Sequence, residues 1–290
     1  MAAIQLGFPV GGQRRSMIMD LDETRSNESY ILKFLGRGQH YEPDVSTTLV
    51  QIVKDGDVVV DVGANVGFFT MLAATLTGPT GRVVSFEPGD NNLGRLKNNI
   101  TLNQFQHVTL IEQPAVDTPR ELQFFINSDD SGGNALWNPG EFHTNVKSAA
   151  APKPITMQGT TVDAEISRLG LPAPKVIKID TEGAELTVLK GCVQQLTNRR
   201  TPYVIAEYHP FGLNKMGASP HELRAFMASF GYSAFFTYYD GAMPRLVPLE
   251  TEVTAACIFN LLFATPEDVG RVWKTAYHDP GASLAPPAAK

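Results

Sequence analysis

Cysteine is scarce in this chain of 290 residues: Cys192 and Cys257 stand alone, without metal-ligand or redox spacing. They exclude a disulfide framework and fit reduced, buried thiols of a cytosolic protein. No apolar run reaches the roughly 20 residues that cross a bilayer, and Met1–Ser16 has no apolar signal-peptide core. Basic clusters end with the pair Arg199-Arg200, and the net charge is −6. Phosphate neutralisation needs grouped Lys and Arg, so nucleic acid is excluded as the main partner. No internal repeat is present. What remains is a soluble, cytoplasmic chain that meets no membrane, with a small molecule as its expected partner. Its apolar fraction of 43% suffices for a real core.

The chain is organised around Asp57–Thr70, DVVVDVGANVGFFT. Val58–Val62 has no polar alternation and reads as a parallel strand buried on both faces. Gly63 and Gly67 bracket a turn in which backbone without Cβ can run close to a ligand. Apolar residues then continue at helical spacing through Phe69, Leu72, Ala73 and Leu76. A strand, a glycine turn and a helix start make a ligand cradle at the carboxyl edge of a sheet. A dinucleotide fingerprint would need a glycine two positions after Gly63, and Asn65 stands there. Its side chain obstructs a pyrophosphate, and Asp61 adds negative charge, so a cationic or zwitterionic ligand is favoured. The pattern D-x-G-x-x-x-G resembles the first motif of Rossmann-like S-adenosylmethionine-dependent methyltransferases.

Strands and helices alternate along the rest of the chain, which argues α/β. Residues 1–40 read as an N-terminal arm or partial lid. Asp44 is placed to cap a helix through Val53, which would bring Glu42 near the glycine turn. A second strand, Arg82–Phe86, ends in Glu87, about twenty residues beyond the turn, where a carboxylate can accept from both ribose hydroxyls. After a third strand, His107–Ile111, the small Ala115 suits a flat base. Residues 127–153 are rich in Gly, Asn, Ser and Pro and read as a substrate-side loop with Trp137 and His143 facing the acceptor. A fourth strand runs through Lys175–Asp180 into Thr181-Glu182-Gly183. In a sheet ordered 3-2-1-4-5 this sets Asp180 beside the glycine turn. The fifth strand, Tyr203–Glu207, brings Glu207 and His209 to the same edge, with Glu182 on the acceptor side. His209 is then the general base, oriented by Glu207, and Asp180 positions the acceptor. Asp180, Glu207 and His209 also form a ligand set for magnesium or another divalent cation. Two late strands suit an antiparallel closing hairpin. Residues 266–290 read as a tail, partly disordered.

With Tyr41-Glu42-Pro43, VVVDVGANVGFFT, Phe86-Glu87-Pro88, IKIDTEGAE at Ile177–Glu185 and IAEYHP in hand, residues 41–265 resemble the FkbM family of methyltransferases. The resemblance implies a Rossmann-like class I methyltransferase fold, a seven-stranded mostly parallel sheet with helices on both faces, and S-adenosylmethionine as donor. It implies cofactor contacts from Asp61, Gly63, Asn65 and Glu87, with Asp180 near the transfer site; the turn adds Gly67. The acceptor would be a hydroxyl of a sugar or another natural product. Methylation of a carboxylate and a non-catalytic nucleoside-binding subunit stay open as alternatives, with a dehydrogenase least favoured. The arm and an edge hairpin, read from the short β pattern of Glu121–Asn127, could support a homodimer.

Overall fold

A computed structural model describes residues 2–10, 13–141, 152–254 and 257–273. The chain opens with β1 (Ala2–Val10), β2 (Gln13–Leu21), α1 (Ser26–Leu35) and α2 (Pro43–Ile52). It continues through β3 (Val58–Val62), α3 (Phe68–Thr77), β4 (Arg82–Phe86), α4 (Asp90–Leu102) and β5 (Val108–Ile111). Next come β6 (Glu121–Ile126), β7 (Lys153–Gln158), α5 (Val162–Arg168), β8 (Val176–Ile179), α6 (Glu185–Lys190) and α7 (Val193–Leu196). The last part holds β9 (Tyr203–Tyr208), α8 (Pro210–Lys215), α9 (Pro220–Ser229), β10 (Ser233–Phe236), β11 (Arg245–Val247), β12 (Phe259–Ala264) and α10 (Pro266–Val272).

The central sheet runs β11-β10-β12-β9-β8-β3-β4-β5. Its β5-β4-β3-β8-β9 half is parallel and has the expected 3-2-1-4-5 order. The late strands close it antiparallel, with β12 between β9 and β10. The sheet has eight strands rather than seven because the three-residue β11 adds an edge. Successive residues of one strand feed opposite faces, as the pleat requires. Val59, Val83 and Val176 join the core under α2, α3 and α4, while Val60, Val84 and Ile177 join the core under α5 to α9.

Helix α3 reads FFTMLAATLT and all ten of its residues are buried. A helix without a polar face needs a cover on the side away from the sheet. That cover comes from the stretch expected to be an arm or partial lid. β1 and β2 form an antiparallel hairpin registered from Ala2↔Leu21 to Val10↔Gln13, and it packs on α3. Phe8, Met17, Met19 and Leu21 are fully buried beneath it. One side chain of α4 and the residue at its C-cap clamp the hairpin's backbone: Asn103 bonds both the N–H and the carbonyl of Ile18, and Asn99 Oδ1 accepts from Asp20 N at 2.8 Å. Buried Glu28 of α1 sits against Arg95 Nε at 3.2 Å. Hairpin and α1 are thus built into the fold.

Two further expectations shift. Asp44 is not the cap of α2; Glu42 holds that position in a left-handed conformation without a side-chain capping bond, and Pro43 follows. The region expected to be a C-terminal tail begins as α10, capped by Thr265, with Val269 and Trp273 buried; residues 274–290 lie outside the described ones. Among the described residues no helix is long and apolar enough to cross a membrane. Phe8→Ala should cost about 3–5 kcal/mol of stability in urea denaturation, whereas a loosely attached arm would lose less than about 0.5 kcal/mol.

Candidate active site

A cavity of about 510 Å³ opens at the carboxyl edge of the sheet. Of the expected residues, Glu42, Gly63, Asn65, Glu87, Ala115, Asp180, Glu182, Glu207 and His209 line it. Asp61, Gly67 and Trp137 do not, and His143 lies outside the described residues. α1, in the stretch expected to be an arm or partial lid, supplies Asn27 and Tyr30 to the wall, although the sequence singles out no residue there.

At one end, Glu87 follows β4 and is buried. Its Oε2 accepts from Asn65 N at 2.7 Å and its Oε1 from Gly89 N at 2.8 Å and Asn92 Nδ2 at 3.3 Å. A carboxylate has about four acceptor directions, so about one is left for a ligand hydroxyl, not the two expected for a ribose. Burial raises the Glu87 pKa to about 7, against the opposing pull of these bonds. Asn65 has a left-handed φ of 56°, which Asn tolerates, and its Oδ1 accepts from Val66 N and from Asn27 Nδ2 of α1. The glycines beside it serve the protein's own packing. A Cβ on Gly63 would collide with the Asp180 carbonyl, and one on Gly67 with Leu96, so both clear a path for neighbouring protein atoms.

Part of the cavity wall is a lysine for which the sequence predicts no role. Lys178 stands opposite Asp61 in the β3–β8 register and is almost wholly buried. Its Nζ donates to Asp180 Oδ2 at 2.9 Å, lies 3.9 Å from Asp61 Oδ1, and sits over the Phe69 ring. Burial alone would lower its pKa, but Asp180, Asp61 and Glu42 outweigh burial and raise it. Asp61, expected to touch the cofactor, instead accepts from Thr70 Oγ1 at 2.7 Å and balances Lys178 from below. A lysine inside the apolar strand KVIKID was the available signal, because a buried ammonium needs partners.

The other end of the cavity is acidic. The turn Thr181-Glu182-Gly183 is drawn tight by Glu185, whose Oε1 accepts from Thr181 N, Thr181 Oγ1 and Gly183 N. Gly183 has φ of 108° and crosses Gly212 so closely that neither position has room for a Cβ. This crossing presents Glu182, itself left-handed, beside His209. The carboxylate that meets His209 is Glu182, 3.4 Å from Nε2, not Glu207 as expected. His209 Nδ1 caps α8 by accepting from Gly212 N at 2.9 Å. Burial lowers the imidazole pKa, yet Glu182 more than offsets it and the net shift is upward. A second proton would have to enter at Nδ1, where an N–H already points. The cap therefore selects the neutral Nε2–H tautomer, which donates toward Glu182 and has no lone pair left for a substrate proton. Trp137 braces the turn from outside, its indole N–H donating to the Glu182 carbonyl at 2.6 Å. Burial raises the pKa values of Glu42 (to about 8), Glu182 and Glu207, with Asp180 adding to each.

Two outcomes follow from this burial. Lys178→Met should lose about 3–5 kcal/mol in urea at neutral pH, and less as the pH falls, because Asp61, whose hold on a proton burial already raises, can take one up instead. Glu42 (about 8), Glu87 (about 7), Glu185 (about 7) and Asp44 (about 6) all bind protons more tightly folded than unfolded. Their stabilisation is complete below the unfolded values and is lost as pH rises through the folded ones, so the Tm of ligand-free protein should fall from about pH 5 to about pH 8 in a calorimetric series.

A family model described as Methyltransferase FkbM domain matches residues 61–234, more than half of the chain. Hexuronic acid methyltransferase AglP of Haloferax volcanii is 28% identical over 169 residues, which are 58% of this chain and 62% of that protein. The chain therefore spans less than two thirds of this curated relative. Among solved structures, Methyltransferase FkbM from Methylobacillus flagellatus KT is similar at a TM-score of 0.42 and 14% identity, covering 81% of this chain and 58% of that one. A SAM-dependent O-methyltransferase from Thermotoga maritima has a TM-score of 0.41 and 11% identity, covering 90% and 77%.

Proposed function

The chain belongs to the methyltransferase FkbM domain family, and on that footing we infer that it is an S-adenosylmethionine-dependent O-methyltransferase acting on a hydroxyl of a small molecule, a sugar or another natural product. One observation carries the reading: a single cavity joins a buried carboxylate at the end of β4 to an acidic cluster at the ends of β8 and β9. The residues suit the donor. Glu87 offers its remaining acceptor direction to a ribose hydroxyl, and Ala115 leaves room for a flat base. Asp180 gives an anionic wall for the cationic methionine part, and Glu42 beside it, which burial keeps protonated in the empty cavity, ionises as the cation enters. When bound, S-adenosylmethionine supplies an electrophilic methyl, the acceptor oxygen forming the new C–O bond while the C–S electron pair stays on sulfur.

The protein's task is to hold the acceptor oxygen in line and take its proton. Glu182 is placed for the proton. It lines the cavity, burial lifts its affinity for protons, and His209 Nε2–H steadies the charge it carries beforehand. His209 is thus a positioning residue, and Glu182 takes the base role first given to the imidazole. A hydroxyl acceptor is favoured over a carboxylate, although the relative's hexuronic acid carries both groups. Asp180, Glu182 and Glu207 would repel a carboxylate, and Lys178 is already paired with Asp180.

Calorimetric titration with S-adenosylhomocysteine, followed by labelled-methyl transfer to a panel of sugars, phenols and carboxylic acids, tests the reading. Heat on titration and label in a hydroxyl acceptor are expected; no heat with donor or product would overturn it. Glu182→Gln should lower kcat by about 10²-fold or more, with the Kd for S-adenosylhomocysteine within about threefold. His209→Asn, which keeps an acceptor for Gly212 N, should lower kcat in the same direction. Equal loss of turnover and product binding in both variants would make the pair structural.

A further inference from the structure

At the acceptor end the geometry points to a divalent-cation site formed by Asp180, Glu182 and Glu207. The inference rests on the reading of that end as the acceptor subsite. One oxygen from each of the three residues lies within 4.8 Å of those from the other two. They come from two backbone stretches: Asp180 and Glu182 from the turn that follows β8, and Glu207 from β9. All three line the one cavity.

Carboxylates gather at many crevices, and Glu207 is what distinguishes this one. Its side chain is 7% exposed and its Oε2 makes no hydrogen bond. A buried carboxylate oxygen without a donor is costly, and the neighbours facing it are themselves carboxylates. Two basic groups touch the cluster, each through another of its carboxylates rather than through the Glu207 oxygen. Lys178 holds one oxygen of Asp180, leaving the other available, and His209 Nε2 faces Glu182. The His209 ring, with Nδ1 on Gly212 N, leaves the ligand set expected from the sequence, and Glu182 enters it.

An all-oxygen set of this kind suits a hard ion, magnesium or manganese, rather than zinc. Octahedral coordination at about 2.1 Å separates ligand oxygens by about 3.0 Å when adjacent and about 4.2 Å when opposite. Small side-chain rotations draw the three oxygens in from their present spacing. Three protein ligands leave positions for water and for an acceptor oxygen. An acceptor hydroxyl bound there becomes more acidic. Its proton passes to the Glu182 oxygen facing His209, and the O–H electron pair stays on the acceptor oxygen. With coordination positions open on one side of the ion, a sugar presenting two neighbouring oxygens is the class that gains most.

The test uses the full chain, stripped with EDTA, desalted, and titrated with MnCl₂ while free Mn²⁺ is followed by electron paramagnetic resonance. About one Mn²⁺ should bind per chain, and Glu207→Gln, close in shape to the native residue, should weaken binding by about tenfold or more. Circular dichroism checks the fold of that variant, and Glu182→Gln replaces it if the fold is lost. No stoichiometric Mn²⁺, or unchanged binding in the folded variant, overturns the cation site. The same samples are titrated with S-adenosylhomocysteine. Product binding without Mn²⁺ removes the cation and leaves the donor reading standing; Mn²⁺ binding without product binding does the reverse.

Discussion

The ammonium of Lys178 is the contact on which the site depends. It reaches across two parallel strands to Asp61 on one side and Asp180 on the other, with the Phe69 ring beneath it. Carboxylates alone could not be buried this densely, since each ionised group taken from water costs several kcal/mol unless compensated. One cation shared among Asp61, Asp180 and the more distant Glu42 lets the ends of β3 and β8 be acidic and still lie side by side. That same adjacency presses the Asp180 carbonyl against Gly63. The electrostatic pairing and the shape of the glycine turn are therefore a single constraint.

A second close approach completes the frame. Gly183 crosses Gly212, so the turn after β8 is fixed against the start of α8, the helix that follows β9. Glu185 gathers the N–H groups of the first turn, and His209 accepts the N–H of the second. The side chains facing the cavity are thus held by backbone contacts below them. Preorganisation of this kind matters because a misplaced acceptor oxygen loses much of the advantage of being bound.

Strand order, the site of the cavity and the convergence of Asp180, Glu182, Glu207 and His209 were legible because each rests on local pattern plus one topological rule. The hairpin was harder to read, yet FFTMLAATLT carries its trace: a helix apolar all round announces a second layer. Which segment supplies that layer has no local signature, because Asn99 and Asn103 recognise backbone about eighty residues earlier, and any backbone would satisfy them. His209 was assigned the wrong carboxylate for a related reason. Spacing of two along a strand puts Glu207 and His209 on one side, but the strand ends at Tyr208 and the ring turns to cap the next helix. Its tautomer follows from Gly212, three residues on. Asp61 was read as a ligand contact because the turn was legible and the lysine opposite it in the next strand was overlooked.

The carboxyl groups around the cavity carry the remaining argument. Glu42, Glu87, Glu182 and Glu207 all hold their protons more firmly than free carboxyls do, chiefly through burial. The ligand-free protein consequently stands in an unfavourable electrostatic state at neutral pH, one that a positively charged ligand relieves. By linkage, such a ligand binds more tightly as these groups ionise, and it stabilises the fold by the same free energy. A neutral or anionic molecule of equal size gains nothing from that relief. The acidity that destabilises the empty cavity therefore favours a positively charged occupant.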